Sequence, residues 1–267
     1  MLIRFVALSS LAVSSALAAA DVPKQPTGKW VAEYGEDKCL LSRSYGTDAD
    51  PLILTLRQMP TDLSVRVIVF TSGTKGESSF AARGHLTFGG EKIGAIFSAY
   101  DSLGKPVRRI EAGVMRTYLL TAVQSGIVSV DLPGEVDESF AVPELGPALD
   151  VLSDCALKLG AAWGIPIEQQ KRMKTTQKLL GMPFSYSDFP LAALKKEMNG
   201  KTEVRITIDQ RGRPVDCVPL KSTPDPVFAR TSCNVLLKRA HFKPARDVDG
   251  RSMESFYVQS IVFTIAM

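Results

Sequence analysis

Val204-Arg205-Ile206-Thr207-Ile208-Asp209, followed by Gln210-Arg211-Gly212-Arg213 and then Pro214-Val215-Asp216-Cys217, decides how the second half of this chain folds. Val204, Ile206 and Ile208 alternate with polar residues, the period of a half-buried strand over Glu203–Asp209. Gln210 to Arg213 supplies a hairpin turn, and Val215–Leu220 is the returning strand. Before the hairpin, Phe189–Asn199 reads as a short helix with Asp188 as N-cap and Pro190 at the first helical position. Leu191, Leu194 and Met198 form its apolar stripe, and Gly200 ends it. After the hairpin, a second helix starts at Asp225 or Pro226 and runs to about Ala240. Its residues Phe228, Cys233, Leu236, Leu237 and Ala240 are expected to face the sheet. Asp247 to Gly250 is a tight polar turn, and Ser255–Ala266 is a long final strand. The order is α-β-β-α-β, a three-stranded antiparallel sheet backed by helices.

Several of these phrases carry a family likeness. They are Asp188-Phe189-Pro190, Val204 to Asp209, Arg211 to Cys217, the run Arg239-Ala240-His241-Phe242-Lys243-Pro244-Ala245-Arg246-Asp247, and Gly250-Arg251. Together they resemble the C-terminal domain of the TonB family over residues 187–267. Cys217 and Cys233 match the positions of a Cys-bearing branch. The resemblance implies a periplasmic fold that contacts outer-membrane receptors, with a short receptor segment joining the sheet as an added strand. In that mode backbone hydrogen bonds give affinity and side-chain pockets give selectivity. The implied edge is Phe256, Tyr257, Val258, Gln259, Ser260, Ile261, Val262, Phe263 and Thr264. The chain departs from the family pattern in three ways. Lys221-Ser222-Thr223-Pro224 stands where the family often has Ser-Ser-Gly, there is no Pro-rich span, and a globular domain occupies the place of that span.

The globular domain is expected over residues 21–165, with 166–186 as a linker that is polar and basic and part helical. Lys29–Tyr34 and Cys39–Tyr45 read as a hairpin around Gly35-Glu36-Asp37. Leu52–Arg57, Lys92–Tyr100, Ile127–Leu132 and Ser139–Val142 read as strands. Leu63–Thr71 is the clearest strand, with Leu63, Val65, Val67 and Val69 on one face and Ile68 and Phe70 on the other, so both faces are expected to be covered. Gly73 to Gly76 and Ser102 to Pro106 read as loops. Val114–Gln124 keeps a helical period but stays ambiguous, with Gly126 as its stop. Leu145 to Trp163 is a helix: Leu145, Leu149, Leu152, Ala156, Leu159 and Trp163 recur at steps of four and three. Gly164 closes it. The first domain is thus mostly antiparallel β with a packing helix at its end, and the whole chain is α+β.

Met1 to about Ala20 reads as a cleaved secretory signal, with Arg4 before the apolar run Phe5 to Leu17 and small residues at Ala16-Leu17-Ala18 and Ala18-Ala19-Ala20. The remainder is globular in composition, 45% hydrophobic and 22% charged, which excludes a disordered or fibrous chain. No later apolar run approaches the roughly 20 residues a membrane helix needs, which excludes a multi-span membrane protein. Contact with a membrane is therefore peripheral at most, and the expected location is the periplasm.

The net charge of +4 sits in the tail: from Phe189 onward there are 13 Lys and Arg against 8 Asp and Glu. In an exported protein this favours acidic protein partners or anionic glycans over nucleic acid, against the plainer reading of a solvated basic surface. Cys39, Cys155, Cys217 and Cys233 are an even set in an exported chain, which points to disulfides. Of the three pairings, proximity within each half favours Cys217–Cys233 and Cys39–Cys155.

No catalytic or metal-ligating constellation stands out, and no cofactor is implied. His85 lies between Gly84 and Leu86 without a nucleophile motif, and His241 lies within the Phe-x-Pro-Ala phrase. Thr71-Ser72-Gly73-Thr74-Lys75-Gly76 lacks the spacing of a phosphate loop. Glu135, Asp137 and Glu138 lack the ladder of a calcium loop. Trp30 and Trp163 read as core residues. The expected role is therefore non-enzymatic protein binding, through an envelope protein or outer-membrane receptor segment. Two other readings stand beside it. An inner-membrane-anchored transducer of the TonB type needs residues 1–20 retained. A cell-envelope hydrolase needs a deep pocket holding His85 with a carboxylate or hydroxyl nearby.

Overall fold

The computed structural model describes residues 22–73, 79–101 and 107–265. The expected signal segment, most of the Gly73–Gly76 turn, the Ser102–Pro106 loop and Ala266 lie outside the described residues.

The first half is one nine-stranded antiparallel sheet. Its strands are β1 (Val31–Tyr34), β2 (Cys39–Ser44), β3 (Ile53–Gln58), β4 (Ser64–Ser72), β5 (Ser79–Phe88), β6 (Glu91–Asp101), β7 (Val107–Met115), β8 (Ile127–Leu132) and β9 (Val136–Ala141). They are laid out in the order β1-β2-β3-β4-β7-β6-β5-β8-β9. Strand β4 follows the alternation expected of it: Val65, Val67 and Val69 are fully buried in the main core, and Ile68 on the other face is buried as well. Strands β5 and β7 carry little periodicity of their own, with Ala81-Ala82-Arg83-Gly84-His85 in one and Arg108-Arg109 in the other. Pairing supplies what propensity lacks, because β7 bonds to β4 along its whole length and β5 is held between β6 and β8.

The ambiguous stretch Val114–Gln124 divides. Val114 and Met115 finish β7, and α1 covers Arg116–Ser125. Gly126 ends α1 at φ 72° with its N–H on the Ala122 carbonyl. Helix α2 (Leu145–Ala162) lays Leu145, Leu149, Leu152, Cys155 and Leu159 into the sheet's core, as its spacing predicts. Each such leucine contributes roughly 1.5–3 kcal/mol of burial. The residue after β2 reaches the last strand: Tyr45 packs edge-on against Phe140 at 4.8 Å and donates to the Ala141 carbonyl.

The stretch 166–186 is drawn into the fold. It forms α3 (Ile167–Arg172), β10 (Met173–Thr175) and β11 (Lys178–Leu180), and then a single 3-10 turn (Tyr186–Asp188). The expected helix Phe189–Asn199 shrinks to α4 (Leu191–Leu194). Asp188 does not cap it; its carboxylate instead accepts the Ser185 N–H one turn earlier and pairs with Arg239. Glu197 then takes a left-handed φ of 50°, which stops any longer helix.

The hairpin appears as β12 (Gly200–Ile208) and β13 (Pro214–Thr223), followed by α5 (Val227–Arg239). Short strands β14 (His241–Lys243), β15 (Ala245–Asp247) and β16 (Ser252–Met253) precede β17 (Ser255–Phe263). The three long strands form a sheet in the order β13-β12-β17, while β14 pairs with β11 and β15 lies between β10 and β16. Helix α5 covers one face, with Ala229, Cys233 and Leu236 against Val204, Ile206 and Ile208. Leu237, expected at that face, is 39% exposed; the helix turns it outward while Leu236 takes the buried position.

Candidate partner-binding edge

Strand β17 is the last strand of the small sheet. On one side it pairs with β12 through nine consecutive residue pairs, from Gly200↔Phe263 to Ile208↔Ser255, without a register shift. Among the described residues no strand pairs with its other side. The expected edge Phe256–Thr264 thus maps onto β17, with Thr264 just past its end.

The two edges of this sheet differ. Strand β13 carries Pro214 and Pro219, the charged Asp216 and Lys221, and two register shifts against β12. Prolines, charges and bulges are the usual means by which a sheet edge is closed to other chains. Strand β17 reads Ser-Phe-Tyr-Val-Gln-Ser-Ile-Val-Phe, with no proline and no charge.

Alternation assigns each residue a face and each backbone group a side. Tyr257 and Ile261 pack against the α5 core, and Phe263 joins Phe189 and Phe228 in an aromatic cluster with ring separations of 5.2 to 6.4 Å. Phe256 and Val258 face the other way, into the core of the nine-stranded sheet. Arg205 extends over the Phe256 ring at 5.4 Å and donates to the Trp163 carbonyl. The Phe256 carbonyl accepts from the Gln177 side-chain amide at 2.7 Å, so it points to the unpaired side. The two-residue repeat then turns the backbone groups of Val258, Ser260 and Val262 to that side as well. The Ser260 carbonyl takes the Gln259 amide at 2.9 Å, and the Gln259 oxygen accepts from the Tyr257 hydroxyl at 2.8 Å. Burial, aided by the Asp62 carboxylate, raises the Tyr257 hydroxyl above its ordinary range, so it stays a donor.

Two clefts flank the edge. One of about 200 Å³ is bounded by Val258 and Ser260 on β17 and by Arg57, Asp62 and Arg66 across from them. A larger one, about 620 Å³, opens beside Ser260, Val262 and Thr264 and is lined by Arg57, Lys201 and Lys221 together with the acids Asp37 and Glu203. Neither Arg57 nor Gln177 stands out in the sequence. Arg57 ends an ordinary strand pattern, and Gln177 lies in a polar stretch.

The other singled-out residues disperse. The cysteines pair as proximity favours, Cys39 with Cys155 and Cys217 with Cys233. His85 is on β5, its side chain 45% exposed and its Nδ1 3.6 Å from Asp131. His241 is exposed, with Nδ1 3.0 Å from the Arg239 carbonyl oxygen. The acidic trio is split: Glu135 pairs with Arg108, and Glu138 with Lys24 at 3.0 Å. Trp163 is buried with its indole N–H on the Glu36 carbonyl, and Trp30 donates to the Pro143 carbonyl. Among the described residues no helix is long and apolar enough to cross a membrane.

Residues 185–265 match the family model described as the Gram-negative bacterial TonB protein C-terminal. The chain is also similar to the solution NMR structure of the Pseudomonas aeruginosa TonB C-terminal domain, at 28% identity over 34% of this chain and 88% of that one, with a TM-score of 0.28. No curated protein matches the chain.

Proposed function

We propose that this chain is an exported, periplasmic, non-enzymatic binding protein of the Gram-negative envelope. It takes an extended segment of another envelope protein, an outer-membrane receptor being the expected source, as a fourth strand along β17. Residues 187–267 form the TonB-like binding unit, and the nine-stranded half is a scaffold that covers one face of it. The observation that carries this reading is the contrast between the two edges of one sheet: β13 is closed by Pro214 and Pro219, and β17 is neither charged nor broken. Family membership of residues 185–265 supports the same mode of contact.

Site-specific photocrosslinking in Gram-negative cells tests it. A crosslinking residue at Ser260 or Val262 is expected to capture an outer-membrane protein, and one at Val215 on β13 is not. Ser260→Pro removes an outward N–H while leaving the pairing with β12 in place, and is expected to abolish capture from Val262. Equal capture from both edges, or none from β17, defeats the proposal.

A further inference from the structure

Arg57, the next-to-last residue of β3, lines the cleft beside Val258 and Ser260. Its Nη2 reaches only the Met59 thioether sulfur at 3.3 Å, a weak acceptor, and its Nε is buried without a partner. Among the described residues Arg57 makes no ion pair. The acids that line the same cleft are Asp62 and Glu203. Asp62 accepts from the backbone N–H and the hydroxyl of Ser64 at 2.8 and 2.6 Å. Burial first, and then Asp37, raise the Glu203 carboxyl, against the pull of Arg57. The neighbouring Arg66 faces Glu111 at 3.7 Å. A guanidinium with a buried, unbonded N–H is costly to leave unmatched, and a carboxylate is the group that matches it best.

We propose, resting on strand addition along β17, that the added segment carries an aspartate or glutamate whose carboxylate pairs with Arg57. Residues directly opposite each other on neighbouring strands hold their Cβ atoms about 5 Å apart and share a face. A residue of the added strand opposite Val258 or Ser260 therefore projects into the cleft those two line, where Arg57 waits. The first half of the chain then selects the partner, while the small sheet supplies the backbone bonds. The charge surplus of the tail, including Lys201 opposite Val262 on β12, acts in the same direction.

The test uses nine-residue peptides of alternating Val and Thr with one Asp walked along them, each with an Asn twin, titrated against the full chain. The best Asp peptide is expected to bind about ten-fold more tightly than its twin, as a charge-assisted hydrogen bond gives. The advantage should shrink at high salt and vanish in Arg57→Gln, while Arg57→Lys keeps part of it. Asp and Asn peptides that bind equally, and lose binding in Ser260→Pro, overturn the Arg57 pairing but leave strand addition standing. An Asp preference that persists in Arg57→Gln moves the recognition to another cation and overturns the assignment. No peptide binding at any position overturns both.

Discussion

The side-chain amide of Gln177 donates to the backbone carbonyl of Phe256 at 2.7 Å and ties the stretch between the two halves to the first residues of β17. Gln177 is only 6% exposed, and its amide also approaches the Thr61 carbonyl at 3.4 Å. Gln177→Ala leaves a buried carbonyl without its donor. The expected loss is about 1–2 kcal/mol in urea unfolding, with faster amide exchange at 255–258; unchanged exchange there counts against the tie.

The two disulfides restrain loops of very different length, with sequence separations of 116 for Cys39–Cys155 and 16 for Cys217–Cys233. Chain-entropy arguments give about 5 and about 3 kcal/mol respectively. Paired Ser variants of each bridge, compared by denaturant midpoint, should show the larger drop for Cys39/Cys155. The opposite ranking counts against loop closure as the source.

Acid should loosen the turn after β15. Burial alone pushes the Asp247 carboxyl up, but the N–H groups of Arg251 and Asp249 and the charges of Arg172 and Arg251 outweigh it and hold it below 3.8. A folded value below the unfolded one means stability present above the unfolded value and lost as pH falls through the folded one. Asp247→Asn should therefore be less stable at pH 7 and lose less than the parent as pH falls below about 4. Parallel pH profiles for the two proteins rule this out.

Glu203 has the opposite sign. Burial first, and then Asp37, raise its carboxyl above 4.5, against the pull of Arg57, Lys201 and Lys221. Its contribution is present below the unfolded value and lost as pH rises through the folded one. Glu203→Gln should be more stable than the parent at pH 7, with the gap closing below about pH 4. A less stable variant at neutral pH means that the charged form is the one the fold prefers.

Gly212 turns the β12–β13 hairpin at φ 82°, and a Cβ added there would lie 1.9 Å from the Phe242 carbonyl oxygen. The Phe242 N–H in turn donates to the Gly212 carbonyl at 2.9 Å. Gly212→Ala is expected to cost about 2 kcal/mol or more, since both the backbone sign and the space oppose it. A thermal midpoint within a degree of the parent's contradicts the close approach.

Elements whose burial follows a single period were legible. Strand β4, helix α2 and the alternation of β12 each bury the residues their spacing assigns. Elements whose burial is set by neighbours were not. Strand β5 contains Ala, Gly and His and is a strand because β6 and β8 pair with both its sides. The apolar spacing after Pro190 runs on to Met198, but Glu197 breaks the backbone path and the helix ends at Leu194.

Within the site, the sequence by itself determined the β12–β13 hairpin, the uncharged and proline-free final strand, and the family phrases around them, because alternation, turn chemistry and composition are local. Only the tertiary structure decided that β17 is an outer strand whose far side no described strand pairs, that Gln177 holds its Phe256 carbonyl, and that Arg57 lines the cleft beside Ser260. Arg57 and Ser260 are about two hundred positions apart. No local pattern links them; the packing of one sheet's face on another sheet's rim brings that guanidinium to that edge.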